Sequence, residues 1–121
     1  MSESKKITIL LADDHELVRN GIKALLQSDE SLQVIAEAAN GREALEKVAS
    51  VKPDLAIIDV RMPELNGIDT VSYIIKSASA TKPIVLSMHD SEEYVLKSVE
   101  AGSFGYLLKD TSKEEFLRAI H

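Results

Sequence analysis

Leu55-Ala-Ile-Ile-Asp59-Val-Arg-Met-Pro-Glu-Leu-Asn-Gly67 joins a short apolar run to one carboxylate and then to a turn rich in Pro, Asn and Gly. A continuously apolar run of this length is typical of a strand covered on both faces, as in a parallel sheet. The Pro, Asn and Gly residues mark the end of that strand. An acid at the tip of a buried strand is poorly solvated, so its presence there indicates a chemical role.

Strand-like runs recur along the chain and alternate with amphipathic, helix-like segments. This alternation predicts an α/β fold, in which a parallel sheet carries helices on both faces. The Gln33–Ala38 run is more polar than the others, which favours an edge position in the sheet. The predicted strands are Ile7–Ala12, Gln33–Ala38, Leu55–Asp59, Ile84–Ser87 and Gly105–Leu108.

Helix start signals lie between the predicted strands. Asp14 is expected to cap a first helix that ends near Gln27, and the Asn40/Glu43 capping box opens a second helix that ends near Val51. The other helices are expected to begin after Asn66-Gly67, at Asp90/Glu93 and at Ser112/Glu115, with Gly102 as a left-handed cap of the fourth. The predicted apolar positions are Leu17, Val18, Ile22, Leu25 and Leu26 in the first helix, Val71, Ile74 and Ile75 in the third, and Phe116, Leu117 and Ile120 in the fifth.

The composition is that of one globular domain. The chain has 121 residues, 45% hydrophobic content, no cysteine and a formal net charge of -6. The lack of cysteine excludes a disulfide framework, a thiolate zinc site and a cysteine nucleophile, and it favours the cytoplasm. The negative charge argues against nucleic-acid binding by this segment, and no apolar run has the length of a membrane span. The fifth predicted helix has barely three turns when the sequence reaches His121, so we expect this chain to be a segment of a longer protein.

Polar side chains follow four of the five predicted strands. Asp13 and Asp14 follow the first, Asp59 ends the third, Ser87 ends the fourth and Lys109 follows the fifth. The carboxyl ends of parallel strands form the ligand-binding edge of such a sheet. Crowded carboxylates repel unless a cation lies among them, and a few hard oxygen ligands suit Mg²⁺. One carboxylate could then attack phosphorus, with Lys109 and Ser87 holding the phosphoryl oxygens.

This order of motifs resembles the receiver domains of two-component response regulators over essentially the whole chain, from Ile7 to Ile120. The matching motifs are Asp13-Asp14, Asp59-x-x-Met62-Pro63-x-x-Asn66-Gly67, Ser87 and Gly105-Tyr106-Leu-Leu-Lys109. The resemblance implies a flavodoxin-like (βα)5 fold with strand order 2-1-3-4-5. It also implies a phosphorylation-controlled switch that catalyses only its own phosphorylation and dephosphorylation, with a sensor histidine kinase as its partner.

The resemblance assigns roles at the predicted site. Asp59 is implied to be the phosphoacceptor and, with Asp14, a direct ligand of Mg²⁺. Asp13 is implied to act on the metal through water, and the backbone carbonyl of Arg61 to be a further ligand. Lys109 is implied to contact the phosphoryl group.

Further implied roles concern the output of the signal. Ser87 and Tyr106 would form the conformational switch, while Arg61 and His89 would border the phosphoryl group and influence its lifetime. Asp110 and the run Asp-Asp-His-Glu-Leu-Val-Arg resemble the NarL/FixJ branch. Members of that branch usually carry a C-terminal helix-turn-helix DNA-binding domain, so transcription regulation by the parent protein and homodimerisation are expected.

Other interpretations stay open at single residues. Asp14 could serve only as a helix cap, Lys109 only as a surface charge, and Tyr106 only as a half-buried aromatic. The three histidines, His15, His89 and His121, show no metal-ligand spacing and are predicted to lie on the surface.

Whole functions compete as well. A nucleotide-binding flavodoxin relative would not place acids after the first strand, and a phosphate-ester hydrolase would typically need an acid where Arg61 stands. The main alternative is a receiver-like scaffold that binds proteins without phosphorylation.

Overall fold

The computed structural model describes residues 6–59, 67–77, 80–87 and 106–108, together with positions 97, 100 and 102. The predicted bounds of the first and third strands are confirmed residue for residue, and the second and fourth strands begin one and two residues earlier than predicted. The elements are β1 Ile7–Ala12, α1 Glu16–Gln27, β2 Leu32–Ala38, α2 Gly41–Val51, β3 Leu55–Asp59, α3 Gly67–Lys76, β4 Lys82–Ser87 and β5 Tyr106–Leu108.

The five strands form one parallel sheet in the order β2-β1-β3-β4-β5. This confirms the flavodoxin-like order and the edge position of β2. The chain runs outward from β1 to β2, then crosses back over β1 to β3, so the direction of winding reverses between β1 and β3. Ligands of open α/β sheets bind at the carboxyl edge beside this reversal.

Alternate residues of the strands build two apolar cores, one on each face of the sheet. On one face, α2 and α3 cover strand residues that include Leu10, Ala12, Ile58 and Val85. On the other face, α1 covers the alternate strand residues, which include Ile57. This two-sided coverage explains why β1 and β3 are almost continuously apolar and buried. Helices on both faces were predicted, and the described helices confirm them.

Helix α1 departs from its prediction at two positions. It begins at Glu16 after His15, so Asp14 lies one residue too early to serve as the predicted N-cap. Leu17 was predicted to join the apolar stripe, but 88% of it is exposed. At 100° per residue, Leu17 points more than a quarter-turn away from the face that carries Ile22 and Leu26.

The capping-box prediction is confirmed, and so is the left-handed conformation predicted for Gly102. The Asn40 side chain accepts a hydrogen bond of 2.8 Å from the Glu43 backbone N–H, and the Glu43 carboxylate reaches back to the Ala39 N–H at 3.0 Å. Gly102 has a left-handed φ of 97°. A Cβ at Gly102 would lie 3.0 Å from the side chain of Ile75, which is partly exposed, whereas Val71 and Ile74 of the same helix are buried as predicted.

The remaining predictions lie mostly outside the described residues. Of the fourth predicted helix, Lys97 and Glu100 are described, and both have helical backbone. The fifth predicted helix lies wholly outside. Among the helices that the structure describes, none is both long and apolar enough to cross a membrane.

Candidate functional site

Strand register brings two acids level with each other at the carboxyl edge of the sheet. Ala12 pairs with Ile58 across β1 and β3, and the next residues along these parallel strands are Asp13 and Asp59. Both are buried, with 0% and 4% exposure. Buried carboxylates are rare unless they are paired or bind a cation. The winding reversal of the sheet therefore carries two buried acids side by side.

Two further residues complete a cluster with these acids. Ligand atoms of Asp13, Asp14, His15 and Asp59 all lie within 4.8 Å of one another, and Asp14 and His15 are exposed to solvent. Carboxylate oxygens are the donors that Mg²⁺ prefers, and a half-open set leaves room for the waters and phosphate oxygens that Mg²⁺ retains. The donor set fits Mg²⁺, as the sequence predicted.

Among the described residues, three hydrogen bonds help to hold the loop that carries Asp13. The Asp13 backbone N–H donates to the Ala38 carbonyl of β2 at 3.0 Å. Its carboxylate Oδ1 accepts from the His15 backbone N–H at 2.9 Å, and its carbonyl accepts from Arg19 Nη1 at 2.7 Å. These bonds fix the backbone from which the side chains of Asp13 and Asp14 extend.

The position of His15 was only partly predicted. Its side chain is 71% exposed, which confirms a surface residue, but Nδ1 lies 3.0 Å from Asp14 Oδ1 and 3.7 Å from Asp13 Oδ1. Spacing between histidines gave no signal for this placement. Direct adjacency to the acidic pair was the available signal, because α1 begins after His15 and turns its side chain back toward the acids.

An ion-pair cluster beside the site was not predicted. Glu37 of β2 accepts from Arg19 Nε at 3.0 Å and from Lys23 Nζ at 2.9 Å, so one acid binds two cations of α1. The hydrogen bond from Lys23 lowers the pKa of Glu37; partial burial opposes this shift and the bond from Arg19 adds to it. The available signal was the spacing of Arg19 and Lys23, which share one helix face at i and i+4.

We expect the stabilisation from Glu37 to be lost in acid. Because its folded pKa lies below its ordinary value of 4.5, the contribution is present above that value and fades as pH falls through the folded pKa. Denaturant unfolding of wild type and Glu37→Gln from pH 7 to pH 3 should show a gap that closes at low pH. Glu46→Gln, at an exposed acid of α2, is the control and should show no such closure. A gap that widens on acidification would contradict the prediction.

The other predicted site residues are described only in part or not at all. Ser87 ends β4 one residue beyond the pair formed by Asp59 and Leu86, and Tyr106 pairs with Val85. Backbone positions on neighbouring strands are thus confirmed, while the side chains of Ser87 and Tyr106 lie outside the description. Three further predicted residues, Arg61, His89 and Lys109, lie wholly outside the described residues.

Comparisons with known proteins agree with this geometry. A family model described as the response regulator receiver domain matches residues 9–121. The nitrate/nitrite response regulator protein NarL of Escherichia coli strain K12 is 37% identical over 121 residues, which is all of this chain and 56% of that regulator. The chain thus spans about half the length of this curated relative.

Solved structures show the same fold. The signal receiver domain of a response regulator NarL from Mycobacterium tuberculosis aligns with a TM-score of 0.92 and 32% identity, over 96% of this chain and 94% of that one. A LuxR-family two-component response regulator from Aurantimonas sp. SI85-9A1 aligns with a TM-score of 0.90 and 32% identity, over 96% and 83%.

Proposed function

The chain belongs to the response regulator receiver domain family, and on that premise we propose that Asp59 is the phosphoacceptor of its Mg²⁺-dependent switch. It is a receiver domain of the NarL/LuxR type, the phosphorylation-dependent module of two-component signalling. The observation that carries the proposal is the meeting of three carboxylates within 4.8 Å at the carboxyl edge between β1 and β3. Asp59 is the strand-end acid of that set, and it faces the Asp13-Asp14 pair.

In the proposed reaction a carboxylate oxygen of Asp59 attacks phosphorus of a phosphohistidine on a sensor kinase or of a small acyl phosphate. A bond forms between that oxygen and phosphorus, and the bond from phosphorus to the donor breaks, with its electron pair leaving on the donor atom. The product is an acyl phosphate on Asp59. The domain turns over no other substrate in this proposal; it accepts and later loses its own phosphoryl group.

The proposed metal ligands are Asp14 and Asp59 directly, Asp13 through water and the backbone carbonyl of Arg61. Bound among them, Mg²⁺ would offset carboxylate repulsion and neutralise charge on the phosphoryl oxygens. We assign Lys109 and the Ser87 hydroxyl to the same oxygens, and Arg61 and His89 to control of the phosphoryl lifetime.

The proposed output is a change of surface at the β4–β5 side of the sheet. Ser87 and Tyr106 lie on these neighbouring strands. A bias of about 1.4 kcal/mol shifts a two-state equilibrium tenfold, and one charge-assisted hydrogen bond supplies about that much. Because NarL extends well beyond the matched region, we propose that the parent protein also carries a DNA-binding domain, whose release or dimerisation regulates transcription.

The test is phosphorylation of the isolated chain by acetyl phosphate, followed by intact-protein mass spectrometry. With Mg²⁺ present, one phosphoryl group per chain is expected; with excess chelator, the modified species should disappear, because three carboxylates then repel the incoming phosphoryl group. Equal modification in chelator would refute the metal requirement. A chain left unmodified in Mg²⁺ would favour the protein-binding scaffold, which needs no phosphorylation.

A further inference from the structure

We infer that Arg19 is a positioning residue for the Mg²⁺ site, an inference that rests on the proposed function. Arg19 is the fourth residue of α1 and lies outside the group of potential metal ligands. Its guanidinium donates from Nη1 to the backbone carbonyl of Asp13 at 2.7 Å and from Nε to Glu37 at 3.0 Å. The side chain is only 17% exposed, so both bonds are largely shielded from water.

The Asp13 carbonyl occupies a gap in the regular structure. It lies after the last residue of β1 and before Glu16, the first residue of α1. There the Arg19 guanidinium donates the hydrogen bond that a backbone N–H donates to a carbonyl within a strand or a helix. Charge-assisted hydrogen bonds of this kind are short and strong, and the planar guanidinium presents its donors in a fixed geometry.

The same guanidinium ties the acidic loop to the end of β2. The Asp13 N–H donates to the Ala38 carbonyl, and the Asp13 carbonyl reaches the neighbouring Glu37 through Arg19. Both backbone groups of Asp13 are thus anchored to adjacent residues of one strand. The two anchors hold the peptide units before and after Asp13, and rotation of either unit would break its anchor. The bonds therefore fix the direction in which Asp13 and Asp14 leave the sheet.

Geometry of this kind matters for Mg²⁺, which demands near-ideal octahedral coordination. Loss of a group that only orients metal ligands typically costs about 10–100-fold in metal affinity. Charge alone predicts the opposite sign, because removing a cation next to the acids should attract Mg²⁺ more strongly. The direction of the change therefore separates positioning from charge.

The experiment is direct Mg²⁺ titration of the unphosphorylated chain by calorimetry, without phosphodonor. Arg19→Met should raise the dissociation constant about tenfold. Lys23→Met is the matched control, since Lys23 binds Glu37 at 2.9 Å and loses the same charge, yet the described contacts of its side chain are to Glu37 and not to Asp13. It should bind Mg²⁺ as tightly as wild type or slightly more tightly. Arg19→Lys keeps the charge but lacks the two-pronged donor, so it should resemble Arg19→Met.

Each outcome is decisive. A folded Arg19→Met that binds Mg²⁺ like wild type, or complete rescue by Arg19→Lys, would overturn the inference and leave the proposed function standing. Wild type without Mg²⁺ affinity would overturn both together. If circular dichroism shows Arg19→Met to be unfolded, Glu37→Gln takes its place, because it loosens Arg19 without touching Asp13. Because Glu37→Gln also removes a negative charge, it is compared with Glu16→Gln, which removes the same charge from an exposed acid in the first turn of α1. Glu37→Gln should weaken Mg²⁺ binding severalfold more than Glu16→Gln, and equal binding by the two variants would overturn the inference.

Discussion

Asp59→Asn is expected to abolish phosphorylation by acetyl phosphate and, in Mg²⁺-free buffer, to make the chain more stable. The amide is a far poorer nucleophile than the carboxylate, so the proposed acyl phosphate cannot form. The second effect follows from the position of Asp59, which is buried at 4% exposure with Asp13 and Asp14 within 4.8 Å. Removing one of three crowded charges relieves both repulsion and the cost of burying an ion.

The size of the stability gain follows from Coulomb's law. Two unit charges 4–5 Å apart repel by about 3–4 kcal/mol at an effective dielectric constant of about 20, and structural relaxation absorbs part of this. We expect a net gain of about 1–2 kcal/mol in the free energy of unfolding. Mg²⁺ should shrink the gain, because it stabilises wild type by binding only the folded state.

The measurements are intact-protein mass spectrometry and denaturant unfolding with and without Mg²⁺. Asp69→Asn is the matched control: it removes the same charge from an exposed acid in the first turn of α3 that is not a member of the cluster. It should remain phosphorylatable and show no gain in stability. Modification of Asp59→Asn at the wild-type level would remove the phosphoacceptor assignment, and an equal gain at saturating Mg²⁺ would remove the electrostatic explanation.

The sheet and the meeting of the acids could be predicted because both follow from one-dimensional patterns. Apolar runs such as Leu55–Asp59 are continuous where a strand is covered on both faces, and the structure confirms β1 and β3 residue for residue. Because the strands are parallel, their carboxyl ends lie at one edge of the sheet for any conformation of the loops. The proximity of Asp13 and Asp59 could therefore be predicted without knowledge of their side-chain conformations.

The details of α1 could not be predicted because they depend on where the helix begins. A start at Glu16 rather than directly after Asp14 leaves Asp14 in the acidic cluster instead of in a cap. The same phase turns Leu17 outward to 88% exposure and brings His15 beside the acids. A shift of one residue rotates a helix face by about 100°, which is finer than the pattern of apolar residues can determine.

The contacts of Arg19 were even harder to predict from the sequence. Arg19 reaches Glu37 across 18 residues of chain, and only the pairing of β1 with β2 brings these residues together. A charged residue on a helix is usually a solvated surface group, and the i, i+4 spacing of Arg19 and Lys23 shows only that they share a helix face, not which groups they bind. Its role becomes visible only when the backbone carbonyl of Asp13 has a known position.

Asp14→Ala is expected to weaken Mg²⁺ binding more than Asp13→Ala, although both remove one carboxylate. Loss of a group that merely orients ligands costs about 10–100-fold in affinity, so loss of Asp14, the proposed direct ligand, should cost roughly 100-fold or more. Loss of Asp13, which is proposed to act through water, should lower the Mg²⁺ affinity roughly tenfold. Calorimetric titration of the two variants with Mg²⁺ measures both values, and Glu16→Gln, at an exposed acid in the first turn of α1, controls for net charge.

The two variants should also differ in folding, and in the opposite order. Asp13 is fully buried and its Oδ1 accepts the His15 N–H, whereas 31% of the Asp14 side chain is exposed and Asp14 does not cap α1. Both substitutions remove one of the crowded charges, but Asp13→Ala also leaves the part-buried His15 N–H without its acceptor and opens space in the interior. In Mg²⁺-free buffer it should therefore be less stable than Asp14→Ala by about 1–3 kcal/mol. One variant thus tests the architecture of the loop and the other the metal. Equal Mg²⁺ affinities for the two would contradict the division between a direct and a water-mediated ligand, and an Asp13→Ala chain as stable as Asp14→Ala would show that the His15 hydrogen bond does not hold the loop.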